Sequence, residues 1–344
     1  MFEPKYTITN SLLESIKRVN VLVHELNDRR FPHVVLLEFE KVARAVSTYA
    51  STSIEGNPLP LTEVKKILKS KPQHVRDSEK EILNYNRALQ DLNRELEEGG
   101  FRISLELVLK IQKQVTEGLL PTTDLGRLRQ KPVVVNDPKT GQVVFLPPDV
   151  PDVGPMVEDL ITFINKNRGK IDPLILAGIF HKQMVLIHPF LDGNGRTTRL
   201  VTKVLLAQMN LNTFNLFSFE NYYNKNVTRY FQSVGEFGNY YEITDQIDFT
   251  TWLEYFTGGI IDELLRVQKL LPEVGISPDT QLQEHHIKIL DYIRVNGFIT
   301  NRVCAKVSDR AKATRTLDFQ RLMRLGLIER KGKGRAIYYI LKEK

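Results

Sequence analysis

A twelve-residue string near the middle of the chain, HPFLDGNGRTTR from His188 to Arg199, constrains the local fold more than any other feature. A largely apolar run, Leu174 to Ile187, precedes the string, and a helix-prone run, Thr197 to Met209, follows it. The small residues between the two runs favour a tight backbone turn. The sequence therefore predicts a loop that ends one buried helix and begins the next.

The second half of this string has the features of an anion-binding site. Gly193, Asn194 and Gly195 fall at the predicted helix start, where unpaired N–H groups and the positive end of the helix dipole favour an anion. Arg196 and Arg199 are three positions apart, so both guanidinium groups can reach the same anion from one helical face. A phosphate or polyphosphate is the ligand that this pattern indicates.

Two further side chains of the string can take part in chemistry at such a phosphate. Asp192 supplies one hard carboxylate, the usual protein share of a Mg²⁺ site that phosphate and water complete. His188 has an unperturbed pKa of about 6.5, which suits a general base at neutral pH. A helix-capping turn with a solvated arginine pair is the alternative interpretation of the same residues.

The string matches the motif HPFx(D/E)GNGRxxR of the Fic family at every defined position, and the chain resembles that family from roughly Phe101 to Ile261. The resemblance implies an all-helical Fic core that transfers AMP from ATP to a protein hydroxyl. It also implies that His188 is the general base and that Asp192 binds Mg²⁺. The residues that it assigns to ATP binding in the motif are Gly193, Asn194, Gly195, Arg196, Thr197 and Arg199.

A second motif lies upstream, at the end of a helix that is predicted to begin near His33. Glu55 falls in the last turn, where a carboxylate opposes the helix dipole at a cost of about 0.3–1 kcal/mol, so a partner cation is expected. Ser51, Glu55 and Gly56 fit the Fic inhibitory motif (S/T)xxxE(G/N). The resemblance implies that Glu55 reaches Arg199 and occupies the space that the ATP γ-phosphate needs. An ordinary helix end is the alternative.

A short β-hairpin is predicted between the helices. Two β-prone runs, Val133 to Val135 and Gln142 to Leu146, flank the turn-rich segment Asn136 to Gly141. In a helical context such a hairpin would have an unpaired edge. Fic proteins carry a hairpin flap here that clamps a target segment by strand addition, and a solvent-exposed connection is the alternative. The resemblance places the target-binding residues at Val144, Phe145 and Leu146.

The segment after the motif, from Asn221 to Gly259, is rich in Tyr and Phe. Most of these side chains are expected to pack in the core, as are Trp252 and Phe256. The stretch from Asn226 to Phe231 resembles the Fic segment that packs an aromatic ring against adenine. That resemblance assigns the contact with adenine to Tyr230.

The C-terminal segment carries the basic character of the chain. From Thr280 to Lys344 there are 15 Lys and Arg against 6 Asp and Glu, whereas the remaining 279 residues have 33 against 35. This segment resembles a winged helix. It has a series of helical patterns, the last of them from Lys312 to Leu325, and then two β-prone runs on either side of the basic turn Lys331 to Arg335. Such a face suits DNA phosphates. It suits protein docking equally, and many basic faces are only solvated.

The chain is expected to have a mainly α fold in three segments: an N-terminal helical region with the inhibitory helix (1–100), a Fic catalytic core (101–265) and a winged-helix-like domain (280–344). At 344 residues it exceeds one ordinary core. No apolar run approaches the roughly 18 residues of a membrane span, and the first residues do not have the pattern of a secretory signal. One cysteine, Cys304, excludes an internal disulfide and is expected in the core. These features predict a cytoplasmic protein without membrane contact.

Two functions from different classes fit this sequence. The first is a protein adenylyltransferase that uses ATP and Mg²⁺ to modify a Tyr, Thr or Ser hydroxyl, is autoinhibited by Glu55 and is able to modify itself or form a homodimer. The second is a nucleotide-sensing regulator that binds DNA. An intact His188 favours the enzyme, because a sensor needs no base there. Related Fic proteins transfer UMP or phosphate, or remove AMP, so the sequence leaves open the nucleotide, the target and the direction.

Overall fold

The computed structural model describes residues 2–28, 33–70, 75–98, 102–137, 140–207, 210–211, 215–271, 282–324 and 327–341. The chain divides into two compact units, one within 1–28 and 40–271 and the other within 29–39 and 272–344. The three-segment division therefore stays a prediction. Helices dominate the described residues, as the sequence predicts. None of the helices in those ranges is both long enough and apolar enough to cross a membrane. The predicted boundaries at Phe101, Met209, Thr280 and Leu325 lie outside the described residues.

The N-terminal part of the first unit is helical, as predicted. Its helices are α1 (Asn10–Asn27), the part of α2 (His33–Ile54) from residue 40 onward, α3 (Leu61–Ser70) and α4 (Asp77–Glu98). The Thr9 side chain caps α1 by accepting a hydrogen bond from the N–H of Leu12. Helix α2 ends one residue before Glu55, and Gly56 follows with a φ of +93°. The left-handed glycine turns the chain away from the helix axis and leaves Glu55 at the helix end.

The next helices form the core that carries the HPFLDGNGRTTR string, and they are α5 (Leu105–Thr116), α6 (Val150–Asn167), α7 (Pro173–Ile187) and α8 (Asn194–Ala207). Thirteen of the fifteen residues of α7 are buried, because apolar side chains occupy most of the helix and His181, Lys182 and Gln183 have buried polar partners. The predicted loop therefore lies between a fully buried helix and α8. This rigid setting fixes the backbone of the string.

Two helix boundaries differ from those that the sequence pattern predicts, which are a helix from Phe101 to Leu120 and another from Pro155 to Arg168. Helix α5 begins at Leu105, because the side chain of Ser104 accepts a hydrogen bond from the N–H of Leu107 and caps it there. Helix α6 begins at Val150 rather than at Pro155. The early prolines are tolerated because the first N–H groups of a helix have no helical partner, and Pro155 removes only one later hydrogen bond.

The rest of the first unit surrounds α7 and consists of α9 (Glu220–Lys225), α10 (Val227–Val234), α11 (Tyr240–Ile243) and α12 (Thr250–Leu270). Trp252 and Phe256 on α12 are buried, as predicted. The indole N–H of Trp252 donates to the carbonyl oxygen of Gly178 at 2.7 Å. A Cβ at position 178 would lie 2.5 Å from a Leu253 side-chain carbon, so this close packing of α12 on α7 requires glycine.

The predicted hairpin is present but has a third strand. Its strands are β1 (Val135–Asn136) and β2 (Val143–Leu146), which pair in an antiparallel manner, and β3 (Gly238–Asn239), which pairs parallel with β2. The expectation of an unpaired edge is therefore wrong along Phe145 and Leu146, which lie opposite Gly238 and Asn239. Val133 and Val134, which were predicted to be in the first strand, precede β1. Asn136, which was predicted to be in the turn, belongs to β1. Positions 138–139 of the turn lie outside the described residues.

The second unit contains α13 (Glu284–Asn296), α14 (Asn301–Val307), α15 (Lys312–Arg324) and an antiparallel pair of strands, β4 (Ile328–Lys331) and β5 (Tyr338–Leu341). A separate apolar core holds these elements together, with Ile289, Phe319 and Tyr339 among its buried members. Cys304 belongs to this core, as predicted, and burial raises the pKa of its thiol. The order of helices and strands follows the predicted pattern, and the winged-helix assignment stays a prediction.

Candidate active site

The loop between α7 and α8 starts with a residue in an unusual backbone conformation. His188 caps α7 with φ 49° and ψ 59°, the left-handed region, which costs of the order of 1–3 kcal/mol for a residue other than glycine. Arg129 supports this conformation. Its Nε donates to the carbonyl oxygen of His188 at 2.9 Å, and its backbone N–H donates to the carbonyl oxygen of Pro189 at 2.9 Å. Arg129 also donates to Pro148 O and is 2% exposed, so this buried side chain fixes the direction of His188.

The protonation state of His188 suits a proton acceptor. The Nδ1 atom lies 3.4 Å from the carbonyl oxygen of Val185, which can only accept, so Nδ1 carries the proton. The lone pair of Nε2 is therefore available. Burial lowers the pKa of His188 below its usual range, against the opposite effect of the Val185 hydrogen bond. The imidazole is consequently neutral at neutral pH.

The middle of the string is held by its own side chains. The side-chain amide of Asn194 accepts from the N–H of Phe190 at 2.9 Å and donates to the carbonyl oxygen of Phe190 at 2.8 Å. The side chain of Asn194 thus serves the loop, which leaves its backbone as the part that can face an anion. Gly193 has a φ of +81°, and a Cβ there would lie 2.7 Å from Thr116 Cγ2, so no larger residue fits.

Arg199 is bound by the residues of the upstream motif, which is 144 positions away from it in the sequence. Its NH2 donates to Glu55 Oε1 at 2.7 Å and to the carbonyl oxygen of Ser51 at 2.8 Å, and its Nε donates to Ser51 Oγ at 2.8 Å. The Arg199 side chain is fully buried, and that of Glu55 is 27% exposed. Burial alone lowers the pKa of Arg199, but the Glu55 carboxylate, together with the nearby Tyr230 and Tyr85 side chains, raises it overall.

The carboxylate of Glu55 also lies against the first turn of α8. A Cβ built at Gly195 would fall 2.1 Å from Glu55 Oε1 and 2.8 Å from Arg199 NH1. Glu55 therefore occupies the space above the helix start, where an anionic ligand would be most favourable. Only glycine at position 195 leaves room for this arrangement.

Arg196 faces a different pair of carboxylates. Its NH2 lies 2.7 Å from Asp192 Oδ1, and its NH1 lies 2.8 Å from Oε1 of Glu81 on α4. The second partner was not predicted, because Glu81 is one of several acidic residues in an amphipathic helix and nothing in its local sequence distinguishes it. Burial raises the pKa of the Glu81 carboxyl, against the effect of Arg196. Each of the two arginines of the string thus contacts a glutamate from an upstream segment, and Arg196 also contacts Asp192.

Tyr230 and part of the flap lie together near this loop. The Tyr230 ring stacks on that of Tyr223 at a centroid distance of 4.5 Å, and its hydroxyl lies 2.9 Å from Nε2 of the buried His181. Burial raises the pKa of Tyr230 to about 12, so the phenol is neutral. In the flap, Phe145 is buried and points inward, whereas Leu146 is 41% exposed.

One cavity of about 460 Å³ collects most of these groups, a volume within the usual range for small-molecule sites. Of the predicted site residues, its lining includes Glu55, Val144, Phe145, His188, Asn194, Gly195, Arg199 and Tyr230. The others lie around the lining rather than in it, and they are Ser51, Leu146, Asp192, Gly193, Arg196 and Thr197. Thr197 is fully buried, and its N–H donates to the carbonyl oxygen of Gly193 at 2.9 Å. The cavity thus combines a neutral imidazole, a buried guanidinium and a helix start.

The loop between α7 and α8 belongs to a segment that matches a known protein family. Residues 102–206, which include α5 to α8 and the loop, match the Fic/DOC family. The chain contains a Fic domain. The protein adenylyltransferase fic-1 of Caenorhabditis elegans is 30% identical over 210 residues, or 58% of this chain and 40% of that protein. The protein adenylyltransferase Fic of Aedes aegypti is 30% identical over 180 residues, which are 51% of this chain and 34% of that protein. The chain thus spans less than half the length of these curated relatives.

Solved structures show the same fold. A Fic family protein from Desulfovibrio desulfuricans G20 is similar over 100% of this chain and 99% of its own, with a TM-score of 0.65 and 19% identity. Fic-1 from C. elegans is similar over 75% of this chain and 72% of its own, with a TM-score of 0.57 and 22% identity. The helical Fic core predicted from the sequence is therefore confirmed.

Proposed function

We propose that this chain is a protein adenylyltransferase that transfers AMP from ATP to a hydroxyl group of a protein, and that Glu55 inhibits it. The observation that carries the proposal is the position of one carboxylate. Glu55 lies on Arg199 and on the start of α8, in a cavity that also holds a base-competent imidazole. An acidic side chain in this place mimics the terminal phosphate that the site would otherwise bind.

In the proposed reaction, His188 acts as the general base. Its Nε2 takes the proton of the target Tyr, Thr or Ser hydroxyl, and the resulting oxygen forms a bond to the α-phosphorus of ATP. The bond from that phosphorus to the bridging oxygen breaks, and pyrophosphate leaves. Arg199, the N–H groups of the α8 start and Arg196 stabilise the negative charge. Tyr230 forms a wall of the cavity against which the adenine packs.

Asp192 is the residue that would hold Mg²⁺. Its side chain is 44% exposed and provides one carboxylate, the usual protein share of a site completed by phosphate and water. Mg²⁺ there would neutralise charge on the leaving pyrophosphate. Gln112 fixes the backbone at this point, because its Nε2 donates to the carbonyl oxygen of Asp192 at 3.3 Å.

The experiment that tests the proposal uses the Glu55→Gly variant, in which the cavity is open to ATP. The variant is incubated with Mg²⁺ and ATP labelled either at the α-phosphorus or at the γ-phosphorus. Adenylyl transfer predicts protein-bound label from the α position only. Label from the γ position would show phosphoryl transfer, and label from neither would favour the nucleotide-sensing regulator. Competition by UTP, or loss of AMP from modified protein, would identify the alternative activities of this site.

Several features stay predictions under this proposal. They are the target protein, self-modification, a homodimer, the cytoplasmic location, the contact of Val144, Phe145 and Leu146 with a target, and DNA binding by a C-terminal winged helix. The pairing of β2 with β3 limits strand addition at the flap to the part of β2 before Phe145, or to the outer edge of β1.

A further inference from the structure

Glu81 connects two parts of the site that the proposed mechanism treats separately. Its Oε1 lies 2.8 Å from Arg196 NH1, and its Oε2 accepts a hydrogen bond from Asn57 Nδ2 at 2.7 Å. Asn57 follows the Glu55-Gly56 turn directly and also donates to the carbonyl oxygen of Ser78 at 2.9 Å. The Glu81 side chain is 14% exposed, so these contacts are shielded from solvent.

Arg196 is shared between Glu81 and Asp192. The guanidinium is 4% exposed, and its NH1 faces Glu81 while its NH2 faces Asp192. Charge pairs that are this close and this buried interact strongly, so Glu81 and Asp192 pull the one guanidinium towards opposite sides. The Asp192 oxygen that contacts Arg196 also accepts the N–H of Gly193 at 2.6 Å. A cation at Asp192 must therefore share this carboxylate with Arg196.

We propose that Glu81 is a positioning residue that binds NH1 of Arg196 and so keeps Asp192 available to the Mg²⁺ of bound MgATP. This inference rests on the proposed function, since it concerns the same nucleotide site. When Mg²⁺ takes Asp192, Glu81 keeps NH1 of Arg196 in place and leaves NH2 free for a phosphate. Without the charge of Glu81, the whole guanidinium is attracted to Asp192, which becomes a poorer ligand for Mg²⁺.

The test measures nucleotide binding rather than turnover. The Glu81→Gln substitution is placed in the Glu55→Gly background, and binding of the α,β-methylene analogue of ATP is followed by calorimetry at increasing Mg²⁺. The Mg²⁺ concentration that gives half-maximal binding should rise about three- to tenfold, because Glu81 acts on Asp192 only through Arg196 and the Asp192 side chain is 44% exposed. Affinity at saturating Mg²⁺ should change by less than about twofold, because the nucleotide contacts remain.

Two control variants separate this role from a structural one. Glu79→Gln removes the same charge from the same helix, where Glu79 pairs with Arg76 at 2.7 Å, and should leave the Mg²⁺ midpoint unchanged. Asn57→Ala removes the other contact of Glu81 without removing its charge, and should also leave the midpoint unchanged. If Glu81→Gln does not fold, Glu81→Asp retains the charge with a shorter reach and should give an intermediate shift.

Three results would overturn the inference. They are a Mg²⁺ midpoint for Glu81→Gln equal to that of Glu79→Gln, a midpoint that falls, or an equal shift in Asn57→Ala. Failure of the proposed function is seen separately, as a Glu55→Gly protein that binds the analogue with Mg²⁺ but transfers nothing from ATP. The Mg²⁺ dependence of binding would still test Glu81 in that case.

Discussion

Removal of the Glu55 carboxylate should both destabilise the protein and open its nucleotide site. In Glu55→Gly, the buried guanidinium of Arg199 keeps its two contacts with Ser51 but loses its countercharge. Deleting one partner of a fully buried ion pair costs about 3–5 kcal/mol. Because 27% of the Glu55 side chain is exposed and water can enter, we expect a smaller loss of about 1–3 kcal/mol in the free energy of unfolding.

The same substitution should strengthen ATP binding. In the parent protein, a γ-phosphate must displace Glu55 from Arg199 and from the start of α8, whereas in the variant that space is free. If displacement costs roughly 1–3 kcal/mol, the affinity for ATP should rise about 5- to 150-fold. ATP at about 100 times its Kd should then restore roughly 2.7 kcal/mol to the variant.

Thermal unfolding and calorimetry with and without MgATP measure both effects. The variant alone should unfold at a lower temperature than the parent, and MgATP should raise its unfolding temperature more than that of the parent. Glu55→Gln serves as the matched variant, since it keeps the length of the side chain without the charge, and it should fall between the two. Equal stability and equal ATP affinity in parent and Glu55→Gly would refute the assigned role of Glu55.

Three further predictions follow from the site and the tail. Because burial lowers the pKa of His188 and its neutral form is the active base, the transfer rate at low ATP should fall to half its plateau only at a pH below about 6.5, the pKa of a free imidazole. A half-maximal rate at a pH of about 6.5 or above would contradict this. Arg129→Ala should slow transfer by about 10–100-fold, as a displacement of about 1 Å can do, whereas the exposed Arg127→Ala should not. If the C-terminal segment binds duplex DNA, its affinity should fall steeply as the salt concentration rises. Arg324→Ala should reduce the slope of log affinity against log salt concentration by about one. Binding to a DNA column that is independent of salt would favour protein docking.

The sequence predicted the elements of this site better than their partners. The helices on either side of the loop follow from a largely apolar run before it and a helix-prone run after it, and the link from Glu55 to Arg199 follows from the family resemblance alone. Glu81 and Arg129 could not be predicted, because their roles depend on contacts between segments distant in the chain. The strand at Gly238 and Asn239 has no β-prone residues, and its pairing with β2 joins segments that are distant in the chain.

Intact-mass measurement after incubation with Mg²⁺ and ATP tests the central claim most directly. The two proteins to compare are Glu55→Gly and the double variant Glu55→Gly/His188→Ala, which differ only in the proposed base. We predict that Glu55→Gly gains the mass of AMP by self-modification. The double variant should bind ATP equally but gain mass about 10²–10⁴ times more slowly, the usual effect of losing a general base. Equal rates of mass gain in the two proteins, or no gain in Glu55→Gly, would contradict the account.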